Sequence, residues 1–277
     1  MFRTLAGLLA GSSLLLAAPT LPLMNVPFDA DAAEKGRRDC AKLLNVDAEF
    51  TNSVGMKMLL IPPGRFTAGP NGSTYRVSLS KPFYVGSTEV TLGQYRRFRK
   101  DHRIDKAADE ANGDDRPAAA VSWEDARAFC RWLSDQPEEK TAARVYSLPT
   151  EARWEWAARA GSNGPRPFGD ETLKSDKGLT EYAWFNRTYT PNPKEETAER
   201  GRQPVGKLKP NAWGLYDTLG NVWEWCDDRR IDEATGEERQ PVMRGGSWRS
   251  GGFHFTVVAT HPADPKAKGA NSGFRVF

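Results

Sequence analysis

Residues 211–228 constrain the fold of this chain more than any other stretch. They include Trp213, Trp223 and Trp225 together with two glycines and several acceptor side chains, in an order that fits neither helical nor strand periodicity. In one interpretation the tryptophans form the core of a domain with little regular structure, because large flat side chains each bury much area. In the other, oxygen atoms of the same stretch surround a hard cation. Both interpretations predict a buried, irregular segment.

The cation interpretation rests on four residues of this stretch. The candidate ligands are the side chains of Asp217 and Glu224 and the backbone carbonyls of Gly220 and Val222. Oxygen ligands supplied by a glycine-containing loop and closed by a glutamate suit calcium, although the spacing differs from that of an EF-hand. The stretch therefore predicts a structural Ca²⁺ site as one of its two alternatives.

Residues 1–32 have the features of an export signal. Arg3 precedes an almost unbroken apolar run over residues 5–18, and Ala30-Asp31-Ala32 offers small residues to a signal peptidase. Two prolines interrupt the run before it reaches the ~20 residues that a membrane-spanning helix needs. We therefore expect a signal peptide over residues 1–32, a lead-in over 33–55 and one domain over 56–277. The expected location is extracytoplasmic, periplasmic or secreted, with membrane contact only through an uncleaved N-terminal segment.

Composition excludes several classes of protein. The formal net charge is +3, and basic residues alternate with acidic ones along the whole chain, so no nucleic-acid partner is expected. Without the signal, about 245 residues remain, which suits a single domain. Cys40, Cys130 and Cys226 allow at most one disulfide and form no CxxC or Cys/His cluster, which argues against a thiolate metal site.

The hydrophobic pattern predicts an α+β domain. Short strands are expected at residues 56–61, 65–68, 76–79 and 82–85, and helices begin after the caps Thr91, Ser122 and Thr150. After Gly161 the regular pattern nearly vanishes for about eighty residues, which is typical of a functional or ligand-organised segment. Closing strands are expected at 242–248 and 273–277, where Arg244 and Arg275 are candidate partners of buried carboxylates.

Seven motifs in this order resemble the sulfatase-modifying-factor family, which includes the formylglycine-generating enzymes. The resemblance runs from about residue 56 to residue 277 and rests on Glu89-Val90-Thr91, Val121-Ser122-Trp123, Leu148-Pro149-Thr150-Glu151, Gly214-Leu215-Tyr216-Asp217, Gly220-Asn221-Val222-Trp223-Glu224-Trp225, Arg244-Gly245-Gly246-Ser247-Trp248 and Gly273-Phe274-Arg275. It implies a C-type-lectin-like fold with short twisted sheets, two or three helices and much irregular structure. It also implies calcium bound by Asp217, Gly220, Val222 and Glu224.

Two positions depart from the family pattern. The family's enzymes oxidise a substrate cysteine at a copper ion held by two cysteines, and Ser250 and Phe255 align with those two cysteines. A hydroxyl is a poor ligand for soft Cu(I), and a phenyl ring is none. The resemblance therefore implies an atypical member without copper. Val276 stands where the family has the disulfide partner of Cys130, so Cys130 is expected to be a buried thiol.

Two functions remain open for such a chain. The first is an oxidative maturation step on an exported protein or small molecule. Its candidate catalytic residues are Ser247, Ser250 and His254, and its candidate cleft residues are Trp248, Arg249 and Phe255. The second is a non-catalytic binding module whose recognition surface lies within residues 249–271. A catalyst should converge polar groups in a pocket, whereas a binder should expose aromatic and basic side chains on an open face.

Overall fold

The computed structural model describes residues 21–69, 73–104, 113–169, 178–185, 201–228, 240–251 and 255–277. Within these ranges the chain forms five α-helices, more than the two or three expected: α1 (Ala30–Leu44), α2 (Leu92–Phe98), α3 (Trp123–Ser134), α4 (Pro137–Thr141) and α5 (Glu151–Arg159). None of the helices in this part is long and apolar enough to cross a membrane.

Ten short strands form three sheets in the described ranges. Their bounds are β1 (Met24–Asn25), β2 (Glu49–Thr51), β3 (Lys57–Ile61), β4 (Gly64–Ala68), β5 (Tyr75–Leu79), β6 (Phe83–Gly86), β7 (Trp223–Trp225), β8 (Val242–Arg244), β9 (Thr260–Pro262) and β10 (Ser272–Gly273). The strand orders are β1-β4-β5, β2-β3-β6 and β10-β7-β8-β9. The four strands predicted in the first part of the domain correspond to β3–β6, and the strand expected at 273–277 is limited to β10.

The caps read from the sequence begin three of the helices. Thr91 forms a capping box with Gln94, and the side chains of Ser122 and Thr150 accept hydrogen bonds from the backbone at the start of α3 and α5. The apolar face of α3, including Phe129, packs against strand β7 and the C-terminal segment in the first hydrophobic cluster. These helices thus form where capping and hydrophobic periodicity agree.

A second cluster packs α5 against β3–β6 and the 211–228 stretch. Trp154, Trp156 and Trp213 are fully buried there, and Trp156 stacks on Phe66 at a centroid distance of 5.6 Å. The first of the two interpretations of the tryptophan-rich stretch, a role in the core, is therefore confirmed. Large aromatic rings supply the buried area that short strands alone would lack.

The C-terminal segment completes the β2-β3-β6 sheet region. The carbonyl of Val276 accepts from the backbone of Gly86 at 2.9 Å. Phe277 and Ser147 exchange two backbone hydrogen bonds, of 2.8 and 2.9 Å. The last residues therefore lie between β6 and the loop that follows α4.

The folded unit begins before the predicted boundary at residue 32. Strand β1 pairs with β4, and the side chain of Asp29 caps α1 by accepting from Ala32 N at 2.9 Å. The ring of Phe28 lies 5.8 Å from that of Trp156 and 4.9 Å from that of Trp213. The predicted boundary at 32 falls inside α1, and residues 33–55 contain most of α1 and all of β2.

A chain that begins at residue 33 is expected to be less stable than one that begins at residue 21. The shorter chain loses the cap from Asp29 and the ring contacts of Phe28, together about 2–4 kcal/mol. Urea unfolding of both chains measures the difference. Equal midpoints and equal slopes would contradict the structural role of these residues.

Candidate functional site

The predicted cation loop is held in an unusual backbone conformation. Asp217, Gly220 and Asn221 all have positive φ, of 54°, 85° and 54°. A Cβ at Gly220 would meet the backbone oxygen of Trp184 at 2.4 Å, so this position requires glycine. Asn211 fixes the start of the stretch, because its Oδ1 accepts from Trp213 N at 3.0 Å and from Leu215 N at 3.1 Å.

Glu89 clamps this loop from the other end of the sequence. Its carboxylate accepts from Val222 N at 3.0 Å and from Asn221 Nδ2 at 2.8 Å. The residue is 1% exposed. Glu89 belongs to the Glu89-Val90-Thr91 motif, but the sequence alone did not assign it to the site. The reason is distance along the chain, since 133 positions separate Glu89 from Val222.

Glu224, a predicted cation ligand, is bound to two other side chains. Arg275 donates from Nη2 to Glu224 Oε1 at 2.8 Å and from Nε to both carboxylate oxygens at 3.1 and 3.2 Å. Trp154 Nε1 donates to Oε2 at 2.8 Å. The expectation that Arg275 neutralises a buried carboxylate is confirmed. These four contacts engage both carboxylate oxygens of Glu224.

Asp217 has the least satisfied carboxylate of the loop. Its Oδ2 accepts from Gly206 N at 2.7 Å, whereas Oδ1 is buried and has no hydrogen-bond partner. Burial raises the pKa of Asp217 to about 6. Burial, together with the charges of Asp217 and Glu224, raises the pKa of Glu89 well above its ordinary value. The buried carboxyl groups of Glu89, Asp217 and Glu224 therefore surround a single arginine, Arg275. When all three carboxyl groups are ionised, the group carries two more negative than positive charges.

These features fit a hard divalent cation. An orphaned buried carboxylate oxygen is a group that normally finds a partner, and oxygen is the atom that calcium prefers. Within the described ranges no three His, Cys, Asp or Glu residues form a metal-binding group. The predicted ligand set contains only two acidic side chains, Asp217 and Glu224, beside the carbonyls of Gly220 and Val222, and it stays a prediction.

The predicted catalytic serines lie together beside this loop. Ser247 Oγ and Ser250 Oγ are 3.1 Å apart, and Asn271 Nδ2 donates to Ser247 Oγ at 3.0 Å. Ser250 Oγ also accepts from Ser247 N at 3.1 Å. Ser247 is fully buried. Asn271, which sequence reasoning did not select, completes a polar cluster in which each hydroxyl already has partners.

Two tryptophans near the serine cluster have indole N–H groups without hydrogen-bond partners. Trp248 Nε1 and Trp184 Nε1 are buried and have no hydrogen-bond partner. Both tryptophans contact the cation loop, since Trp248 N donates to Asn221 O and Asn221 N donates to Trp184 O, each at 2.9 Å. The guanidinium of Arg249 is exposed and lies 5.4 Å from the ring centroid of Trp248. The structure thus brings Trp248, Arg249, Ser247 and Ser250 to one place.

One predicted site residue, Phe255, does not join the surface formed by residues 247–250. Phe255 is fully buried and packs on Phe185 at 5.0 Å in a third hydrophobic cluster, so the assignment of its side chain to the cleft surface was wrong. A phenyl ring gains more from burial than from lining a wet cleft. His254 lies outside the described residues. His261, at the edge of the proposed recognition segment, is exposed and stacks on Trp223 at 5.3 Å.

The three cysteines are free and buried. The prediction that Cys130 is a buried thiol is confirmed, and burial raises its pKa above the ordinary value. Burial also raises the pKa of Cys226. A thiol that ionises with difficulty is a poor nucleophile and a poor metal ligand. The described part of the chain therefore offers no thiolate to replace the aligned copper cysteines.

Comparison with known proteins establishes the family. The model of the sulfatase-modifying factor enzyme 1-like domain matches residues 46–277. The match covers most of the chain, so the protein belongs to the sulfatase-modifying-factor family.

Relatives named for different roles match the chain. The formylglycine-generating enzyme of Streptomyces coelicolor is 35% identical over 179 residues, 57% of this chain and 51% of that enzyme. The inactive C-alpha-formylglycine-generating enzyme 2 of Bos taurus is 34% identical over 166 residues, 57% of this chain and 49% of that protein. The chain thus spans about half the length of these relatives. The chaperone protein LppX of Paenibacillus barcinonensis is 27% identical over 261 residues, 81% of this chain and 90% of LppX.

Solved structures confirm the fold that the motifs implied. Treponema denticola variable protein 1 has a TM-score of 0.65 and 26% identity, covering 83% of this chain and 99% of that one. PvdO from Pseudomonas aeruginosa has a TM-score of 0.65 and 26% identity, covering 82% and 96%. The chain therefore has the mixed α/β, C-type-lectin-like fold of this family, with short sheets and much irregular structure.

Proposed function

We propose that this protein is an exported family member that binds a segment of a partner protein without copper-dependent formylglycine synthesis. One observation carries the proposal: neither position aligned with the copper cysteines offers a ligand for copper. The hydroxyl of Ser250 is hydrogen-bonded to Ser247, and the ring of Phe255 is buried in the core. Soft Cu(I) requires thiolate or thioether ligands there.

The cleft wall supports binding of a polypeptide. Arg249 is exposed and lies next to Trp248, with its guanidinium 5.4 Å from the indole centroid. Arg249 and Trp248 are the residue types that dominate protein interfaces. The names of two relatives agree with a role outside oxidation, since one is an inactive family member and another a chaperone.

Oxidative maturation of a protein or small molecule is the second candidate. The convergence of Ser247, Ser250 and Asn271 within hydrogen-bond distance favours it, because catalysts gather polar groups in one pocket. In this candidate, the serine hydroxyls position a substrate and His254 moves a proton. The reaction would not depend on copper.

We propose further that Asp217, Gly220, Val222 and Glu224 hold a structural Ca²⁺ ion. The unpartnered Oδ1 of Asp217 and the excess of buried negative charge support this assignment. When bound, the ion supplies positive charge to the carboxylates and fixes the loop from which Asn221 contacts both cleft tryptophans. In this proposal the calcium ion has a structural role, because it holds the loop that supports the neighbouring tryptophans.

Oxygen consumption distinguishes the two candidate functions. The purified protein is incubated with a cysteine-containing peptide, alone and with added copper or iron, beside a formylglycine-generating enzyme as a positive control. We expect no oxygen uptake above that of peptide and metal alone. Formylglycine in the peptide, detected by mass spectrometry, would contradict the proposal, and oxygen uptake without added copper and without formylglycine would favour the second candidate.

In-cell crosslinking tests the binding role directly. A photo-reactive amino acid at position 249 is expected to capture a defined partner protein, since Arg249 is exposed at the cleft. The same amino acid at position 35, in place of exposed Lys35 on α1, serves as the matched control. Identical crosslinked proteins from both positions would refute a specific site at the cleft.

A further inference from the structure

A second concave site lies near the C-terminal segment. The cleft has a volume of about 550 Å³, and its lining includes Phe50 of β2, Tyr84 of β6, Arg144, Arg153 of α5 and Phe277. None of its lining residues belongs to the Ser247 cleft or to the cation loop. The volume lies within the ~300–1,000 Å³ typical of small-molecule sites.

The lining combines aromatic walls with two arginines. The guanidinium of Arg144 lies on the face of Phe50 at 3.8 Å from the ring centroid, and Arg153 lies over Phe83 at 5.5 Å. Rings and guanidinium groups in this arrangement attract each other and keep the arginines extended along the walls. The lining therefore combines apolar rings with two guanidinium groups.

The two arginines differ in their partners. Arg144 Nη1 is 3.5 Å from Glu139 Oε2, so a buried carboxylate balances its charge. The guanidinium of Arg153 has no carboxylate or hydrogen-bond partner in the described part of the chain, and the residue is half-buried. The remaining charged side chain of the lining, Asp47, is exposed. A partly buried guanidinium whose five N–H donors are free can bind a planar anion such as a carboxylate through two parallel hydrogen bonds, that is, in a bidentate manner.

The mouth of the cleft exposes apolar side chains. Val145 is 82% exposed and Val46 is 45% exposed, and both line the cleft. Single exposed apolar residues are ordinary, but two at the mouth of one aromatic cleft offer an apolar ligand a continuous contact surface. The backbone at this place is rigid, since Ser147 and Phe277 exchange hydrogen bonds.

We propose that this cleft binds a small amphipathic carboxylate whose anionic group contacts Arg153 and whose aryl or alkyl body packs between Phe50, Tyr84 and the two exposed valines. Charge complementarity selects the anion, and the volume selects a small molecule. This site is separate from the proposed partner-binding cleft, so either can be correct without the other.

Calorimetric titration with 4-phenylbutyrate tests the site, with 4-phenylbutan-1-ol as its neutral analogue. The acid is expected to bind at least about tenfold more tightly than the alcohol, because a charge-assisted, two-pronged contact is lost with the carboxylate. Arg153→Gln should weaken binding of the acid about tenfold and leave the alcohol unchanged. Val145→Asp, at an exposed position that tolerates substitution, should weaken the acid through like-charge repulsion.

Arg65→Gln is the matched control, because Arg65 is exposed on β4 and does not line this cleft. It should bind the acid as the wild type does. Equal affinity for acid and alcohol, or unchanged affinity for the acid in Arg153→Gln, would overturn the proposal. Thermal unfolding of each variant verifies that a change in affinity does not reflect loss of the fold.

Discussion

Replacement of Arg275 by methionine should lower the free energy of unfolding by about 3–5 kcal/mol, because the change leaves Glu224 buried without its charge partner. Arg275 also donates to the backbone oxygens of Gly86 and Tyr216, which lose these bonds. For a domain of this size such a loss corresponds to a fall of about 6–20 °C in melting temperature. Calorimetry and urea unfolding measure it.

Two comparisons make this prediction specific. The exposed ion pair of Lys35 and Asp39 on α1 is the control, and Lys35→Met should change stability by less than about 1 kcal/mol. The double variant Arg275→Met with Glu224→Gln should recover part of the loss, since it removes the uncompensated charge. A single Arg275→Met variant as stable as Lys35→Met would contradict the assigned role.

Calcium should stabilise this protein much more at pH 7 than at pH 4. Without calcium, burial raises the pKa of Asp217 from an ordinary 3.8 to about 6. A carboxyl whose pKa is higher in the folded state favours folding while it is protonated, and this contribution is lost as the pH rises through about 6. The shift corresponds to about 3 kcal/mol, and Glu89 adds an effect of the same sign.

Thermal unfolding from pH 4 to pH 7.5, with calcium and with chelator, tests this coupling. With chelator the stability should fall as the pH rises, whereas calcium should remove most of the fall by neutralising the ionised carboxylates. Asp217→Asn should flatten the chelator curve and abolish the response to calcium. A melting temperature that is the same with calcium and with chelator at pH 7 would rule out the proposed ion.

Local features of the fold were predictable from the sequence. The caps Thr91, Ser122 and Thr150 begin α2, α3 and α5 as expected, because a cap depends on residues within one helical turn. The motif order also identified the family. These properties require only the identity and spacing of residues along the chain.

The start of the folded unit and the fate of Phe255 were not predictable in this way. Small residues at 30–32 resemble a cleavage signal, yet Phe28 and β1 pack onto the domain. Phe255 was expected to line a cleft, yet its ring is buried against Phe185. Both outcomes depend on which distant surfaces a side chain can bury, and this is a property of the assembled core.

For residues 211–228 the sequence by itself determined that tryptophans, glycines and oxygen ligands share one irregular stretch. Only the tertiary structure decided how that stretch is held. Glu89 comes from 133 positions away to bind Val222, and Arg275 comes from 51 positions away to bind Glu224. The physical reason is desolvation: carboxylates enter the core only with partners, and those partners come from wherever the fold brings a donor or a cation within reach.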